Sequence, residues 1–199
     1  MNIIAYIDPA STSALLYIII AVAATLAYAL RGFFYKLKNL ILGKGFVSSK
    51  DFQHSDIILY SEGKQYWPVF LPVIKAFEKR NLPSVYLTSD ENDPGLDYQS
   101  ELFECKYIGN LTMTSVYLNR LKAKLVCMTT PQLDVMMIRR SKHVQHYAHL
   151  VHAPIDVFTY RKFAFDYFDS VLCSGPHQIE GIRQLEKKRG TAKKQLLET

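Results

Sequence analysis

Short apolar runs that stop at clusters of Ser, Thr, Gly and Pro, separated by amphipathic stretches, limit this chain more than any other feature. Strands are predicted at Asp56–Tyr60 (DIILY), Ser84–Leu87, Cys105–Ile108, Leu125–Met128, Val144–Val151 and Ser170–Cys173. Between them, helices are predicted at Trp67–Arg80, Thr114–Ala123, Asp156–Tyr167 and His177–Lys188. Pro68 opens the first helix and Lys79-Arg80 close it, as the free amide and carbonyl ends of a helix favour. Leu133–Ile138 fits neither period, and the basic tail Arg189–Thr199 is predicted helical. Strands alternating with helices imply βαβ units and an α/β domain built on a parallel sheet, here over residues 56–199. No GxGxxG or Walker pattern follows the first strand, which excludes a standard dinucleotide or triphosphate cradle there.

The amino-terminal part has a different character. No charged residue occurs from Pro9 to Leu30. As a helix this run spans about 33 Å, enough for a hydrocarbon core of about 30 Å. Asp8 precedes it, while Arg31, Lys36, Lys38 and Lys44 follow with no acidic residue before Asp51. That asymmetry is wrong for a cleaved leader. It predicts a single-pass cell-membrane anchor over residues 1–44 with a basic cytoplasmic flank, a linker over 45–55, and the α/β domain in the cytoplasm. The alternative is a buried helix of a soluble domain. The net charge of +6 favours an anionic partner, either a phosphate-bearing substrate or a lipid surface. Cys105, Cys127 and Cys173 are odd in number and form no CxxC pair, so they read as small apolar residues.

Four of the six histidines, His143, His146, His149 and His152, fall at a spacing of three. On a strand that spacing alternates faces, and no Cys or carboxylate lies inside the cluster, so no metal site is expected. His143, His146 and His149 read as ordinary strand residues, two or three of them solvated or capped. His152 differs by position, because it sits last before the Ala153-Pro154 break. In an open α/β sheet, ligands bind outside the carboxyl ends of the strands. A histidine there is suited to general-base work near neutral pH. The same edge would gather Ser61, Glu62, Lys64, Thr130, Ser174 and Gly175 as substrate-binding candidates. Each has a plainer reading: Ser61 and Ser174 as caps, Glu62 and Lys64 as solvated charges, Thr129 and Thr130 as turn formers. No cofactor is expected.

The run IRRSKHVQHYAHLVHAPIDVFTYRKFAFDYFDSVLCSGPHQIEGIRQL, from Ile138 to Leu185, resembles the CDP-glycerol glycerophosphotransferases, the teichoic acid primase and polymerase family. The YIDPASTSALLYIII segment with its basic flank is similar to membrane-anchored members, and the Ser61-Glu62-Gly63-Lys64 loop resembles the family's first βα loop. The resemblance implies a Rossmann-like domain forming the first half of a GT-B glycosyltransferase, with the second, donor-binding domain outside this chain. It implies transfer of glycerol phosphate from CDP-glycerol to a lipid-linked or polymeric glycerol-phosphate acceptor at the membrane, with no nucleic acid involved. His152 matches the family's presumed base, with Ala153 where the family has Gly. Two other readings stand beside it: a non-catalytic membrane-tethered binding domain, and a related nucleotide-sugar transferase with another donor.

Overall fold

The computed structural model describes residues 17–26, 30, 56–109 and 111–199. The chain divides into two units, Met1–Phe46 and Val47–Thr199. In the first, residues 17–26 are helical with exposed side chains, and the Thr25 hydroxyl donates back to the Ala21 carbonyl at 2.7 Å. Most of the expected anchor, its basic flank and the 45–55 linker lie outside the described residues. No helix among the described residues is long and apolar enough to cross a membrane.

The second unit is a parallel α/β domain. Its elements in order are β1 (Ile57–Ser61), α1 (Trp67–Glu78), β2 (Ser84–Thr88), β3 (Phe103–Tyr107), α2 (Leu111–Leu118), β4 (Lys122–Met128), β5 (His143–Leu150), β6 (Ser170–Cys173), α3 (Pro176–Arg189) and β7 (Gln195–Glu198). The strands pair in the order β3-β2-β1-β4-β5-β6-β7, all parallel. The chain winds outward from β1 to β3, returns to the middle, and winds the other way from β4. This reversal makes the domain Rossmann-like and puts its switch point between β1 and β4.

The central strands carry near-continuous apolar runs because both of their faces are covered. On one face Ile58, Tyr60, Val126, Met128 and Tyr147 pack with Leu118 of α2 and Ile182 of α3. On the other, Leu59, Tyr86, Cys127 and Ala148 pack against Phe70 and Ile74 of α1. Burial pushes the Cys127 thiol up to about 12, which leaves it an unreactive core residue.

Three expectations need correction. The helix predicted at Thr114–Ala123 ends at Leu118, and β4 begins at Lys122, three residues before the expected Leu125. The tail predicted helical forms β7 instead. The backbone N–H groups of Gln195 and Thr199 donate to Asp169 and Cys173 carbonyls at 3.0 and 2.9 Å, so the open edge of β6 outweighs local helix preference.

The helix predicted at Asp156–Tyr167 is absent, apart from a single 3-10 turn at Val157–Thr159. Phe163 adopts φ 64°, which breaks any right-handed helix. Tertiary bonds take the carbonyls a helix would use internally. Gln132 donates its backbone N–H to the Ala164 carbonyl at 2.8 Å and its side-chain amide to the Lys162 carbonyl at 3.0 Å.

Ile58 is wholly buried in the central β1. Ile58→Ala should cost about 2–5 kcal/mol through lost burial and the cavity left behind. Urea unfolding followed by circular dichroism measures it, and a midpoint equal to the unmodified protein's would show that the two-sided packing of β1 is misplaced.

Candidate functional site

Parallel register carries β1, β4 and β5 to one edge together. Tyr60 pairs with Met128, and Met128 pairs with His149, so these three form one row across the switch point. Just past the row lie Ser61 at the end of β1 and Glu62 after it, Thr129 and Thr130 after β4, and His152 after β5. The residues that the sequence nominates thus do end at one edge.

Hydrogen-bond accounting marks this edge, although Glu78 and Ser84 elsewhere also carry a buried atom without a partner. Most buried polar side-chain atoms in folded proteins have partners. Here both ring nitrogens of His149, Nδ1 of His152 and the hydroxyls of Thr129, Thr130 and Tyr160 are buried with no partner in the protein. They belong to the ends of β4 and β5 and to the loop that follows β5.

His149 is the one of the three that is neither solvated nor capped: it is completely buried, edge-on to Phe165 at 5.2 Å and tilted against Phe168 at 5.0 Å between ring centroids. Loss of water is the main force on it, and the positive field of a protonated His152 adds to this; the Thr130 backbone acts in the opposite sense. Together they bring His149 down to about 3, so it is neutral at any physiological pH. His143 is exposed, and His146 shares a 2.8 Å hydrogen bond with the Ser170 hydroxyl, so for these two the ordinary reading holds.

His152 is half-buried, with Tyr66 edge-on to its ring at 4.7 Å between centroids. Burial lowers its pKa, and the Glu62 carboxylate pulls the other way. The result is an imidazole that is neutral at pH 7 and has an anion near enough to favour the proton it would accept.

Tyr60 is fixed by a one-way chain of hydroxyls. Thr114 gives its proton to the Gly109 carbonyl at 2.8 Å, so it must accept from Ser89, at 2.7 Å. Ser89 therefore accepts from Tyr60, at 3.1 Å. Burial pushes the Tyr60 phenol up to about 12, so it stays neutral with its proton committed away from β4.

The remaining nominated residues are not equivalent. Ser61 spends its hydroxyl inside its own turn, donating to the Gly63 carbonyl at 2.8 Å and accepting from the Gly63 N–H at 3.3 Å. The Lys64 backbone N–H donates to Asp90 at 3.2 Å, and the Lys64 charge helps to hold the Asp90 carboxyl low, after the Asn92 and Lys64 amides. Lys64 is therefore engaged on the β2 side. Thr130 keeps its unpartnered hydroxyl at the site. Gly175 caps α3, and Ser174 is exposed beside it.

Three contributors escaped the sequence reading: His149, Tyr160 and Gln178, whose side-chain amide joins the loops after β5 and β6. For His149 a signal existed, since a strand flanked by strands is buried on both faces whatever its side chains. Gln178 gave none, because its role depends on which loops meet at α3.

An open groove of about 350 Å³ lies at the opposite, amino-terminal edge of the sheet, among Arg140, Asp169, Lys193 and Lys194. Its charges are largely compensated internally: Arg140 pairs with Asp169 at 2.9 Å, and Lys194 lies 3.8 Å from Glu186. Among the described residues, no group of three or more His, Cys, Asp or Glu is placed to hold a metal. The fold and the unsatisfied cluster define a Rossmann-like domain with a candidate ligand site at the carboxyl ends of β4 and β5, beside its switch point. Comparison with protein-family models, curated proteins and solved structures returns no match.

The depressed His149 pKa has a definite consequence for stability. Below about 6.5 the unfolded chain gains a proton that the native state refuses, so stability falls from there down to about 3, where the native ring protonates too. The expected loss approaches about 1.4 kcal/mol per pH unit. His149→Leu, of similar volume and without the orphaned nitrogens, should flatten this profile and raise the melting temperature at pH 5. An unchanged pH dependence in that variant would show that the ring is not held neutral.

Proposed function

We propose that this chain takes part in transferring glycerol phosphate from CDP-glycerol to a membrane-linked, teichoic-acid-type acceptor, with residues 1–44 as a membrane anchor. His152 is the base. The observation that carries the reading is a neutral imidazole with an unpartnered Nδ1 at the carboxyl edge of β5, within the field of Glu62 and against Tyr66. The motif resemblance supplies the reaction class.

In this mechanism the acceptor hydroxyl attacks the β-phosphorus of CDP-glycerol as His152 takes its proton. A bond forms from the acceptor oxygen to that phosphorus, the bond to the bridging oxygen breaks, and CMP leaves with the electron pair. The carboxylate of Glu62 stabilises the imidazolium that results. Thr130 offers its hydroxyl to the acceptor. The amino end of α3 lies at the same sheet edge, where the Gly175 amide is suited to a phosphate oxygen, the Ser174 N–H being taken by Gln178. Anchoring at a membrane keeps the domain near a lipid-linked acceptor.

His152→Ala should lower the transfer rate by about 10²–10⁴-fold while leaving the unfolding midpoint in place. The assay supplies radiolabelled CDP-glycerol to membranes carrying the 199-residue chain, alone and joined to a donor-binding second domain. Full activity in a folded variant would end the base assignment. Label entering lipid or polymer with neither form would favour a tethered binding module or a different donor.

A further inference from the structure

Gln178 stands on the first turn of α3 and has no solvent exposure. Every bonding group of its side-chain amide is used. Oε1 accepts from the Ser174 N–H at 2.9 Å, and Nε2 donates to the carbonyls of Ala153 at 2.9 Å and Ile155 at 3.0 Å. One amide therefore joins the loop after β6 to the loop after β5, and the second of these carries His152.

Little else holds His152 in place. The pairing of β5 with β6 ends at Leu150 and Leu172, followed by one bond from the Val151 N–H to the Leu172 carbonyl at 3.0 Å. The His152 ring makes an edge contact with Tyr66, and its Nδ1 has no protein partner. Between Ile155 and β6 the chain forms no regular element except one 3-10 turn. Among hydrogen bonds, the backbone immediately after His152 is thus tied to α3 by a single side chain, and the next anchorage is the packing of Val157 against Gly181.

We propose that Gln178 is the positioning residue of the site, locking the His152 loop to the amino end of α3 so that the base and the Ser174-Gly175 peptide keep a fixed separation. The inference rests on His152 being the reactive group. The chemistry of the position is selective. Only an amide of this length offers one acceptor and two donors: Glu keeps the acceptor and loses the donors, Met loses both, and Asn has a shorter reach.

The test uses the 199-residue chain with Gln178→Glu and Gln178→Met. It reads the His152 imidazole titration by NMR and amide exchange in the two loops. In Gln178→Glu the Ser174 amide should stay protected, while the carboxylate faces two carbonyls and releases the His152 loop. His152 should lose its contact with Tyr66 and titrate closer to an ordinary histidine. Lowering the pH until the new acid protonates should restore one donor and re-order the loop. In Gln178→Met the Ser174 amide should also exchange faster, by about tenfold or more.

Folded variants in which His152 titrates unchanged and the loop stays protected would overturn the proposal. So would global unfolding of both variants, because Gln178 would then be a residue of the fold as a whole. The transfer assay separates the two readings. A displaced His152 with undiminished transfer leaves the clamp standing and removes the base. Loss of transfer in His152→Ala, with His152 unmoved in Gln178→Glu, does the reverse.

Discussion

A strand with neighbours on both sides and cover on both faces has no route to water for its side chains. The carboxyl halves of β4, from Val126, and of β5, from Tyr147, are in that position, and most of what is distinctive in this domain follows from it. Their apolar residues are accommodated at no cost. Their polar residues must find partners inside the protein or go without. Tyr147 solves the problem by donating its N–H to Asp169 and accepting the Ser141 N–H at its phenol oxygen. His149, two residues on, does not solve it. The contrast within one strand suggests that the carboxyl end of β5 is shaped by something other than stability.

The two edges of the sheet differ in the same sense. At the amino edge, Asp169 accepts from Arg140 and from the Tyr147 backbone, Asp166 pairs with Arg189, and Glu186 binds Arg183 and the Lys194 N–H. Most charges there are matched and the connections are taut. At the carboxyl edge between β4 and β5, hydroxyls and imidazoles converge with their bonding capacity unspent. Proteins tolerate such deficits mainly where function requires them. The switch point between β1 and β4 is where this topology opens a crevice, and the unsatisfied groups lie beside it on the same carboxyl edge.

The segment from Ala153 to Phe168 links these themes. It roofs His149 with Phe165 and Phe168 and returns the chain to β6. It is held by bonds from Gln178, Gln132 and Arg140 to its carbonyls, not by a ladder of its own. Ile155, Phe158, Phe163 and Tyr167 remain exposed along it. A roof fixed by a few side chains responds to those side chains individually, which a helix would not do.

The sequence by itself determined the class of fold and the edge on which to look. Runs such as IILY and SVLC need no tertiary information to be read as buried strands, and the observed β6 matches its expected bounds. Position alone marked His152, because the break at Ala153-Pro154 is local chemistry. Tertiary structure decided the rest. β7 exists because β6 left an edge to pair with, which no pattern in a lysine-rich tail encodes. Val157, Ala164, Phe165 and Phe168 look helical in spacing, yet the partners that claim this segment's carbonyls lie on other elements. His149 and Gln178 acquire their roles from register and from which loops meet. Hydrophobic period is a property of neighbours in sequence, whereas the satisfaction of a buried polar group depends on neighbours in space.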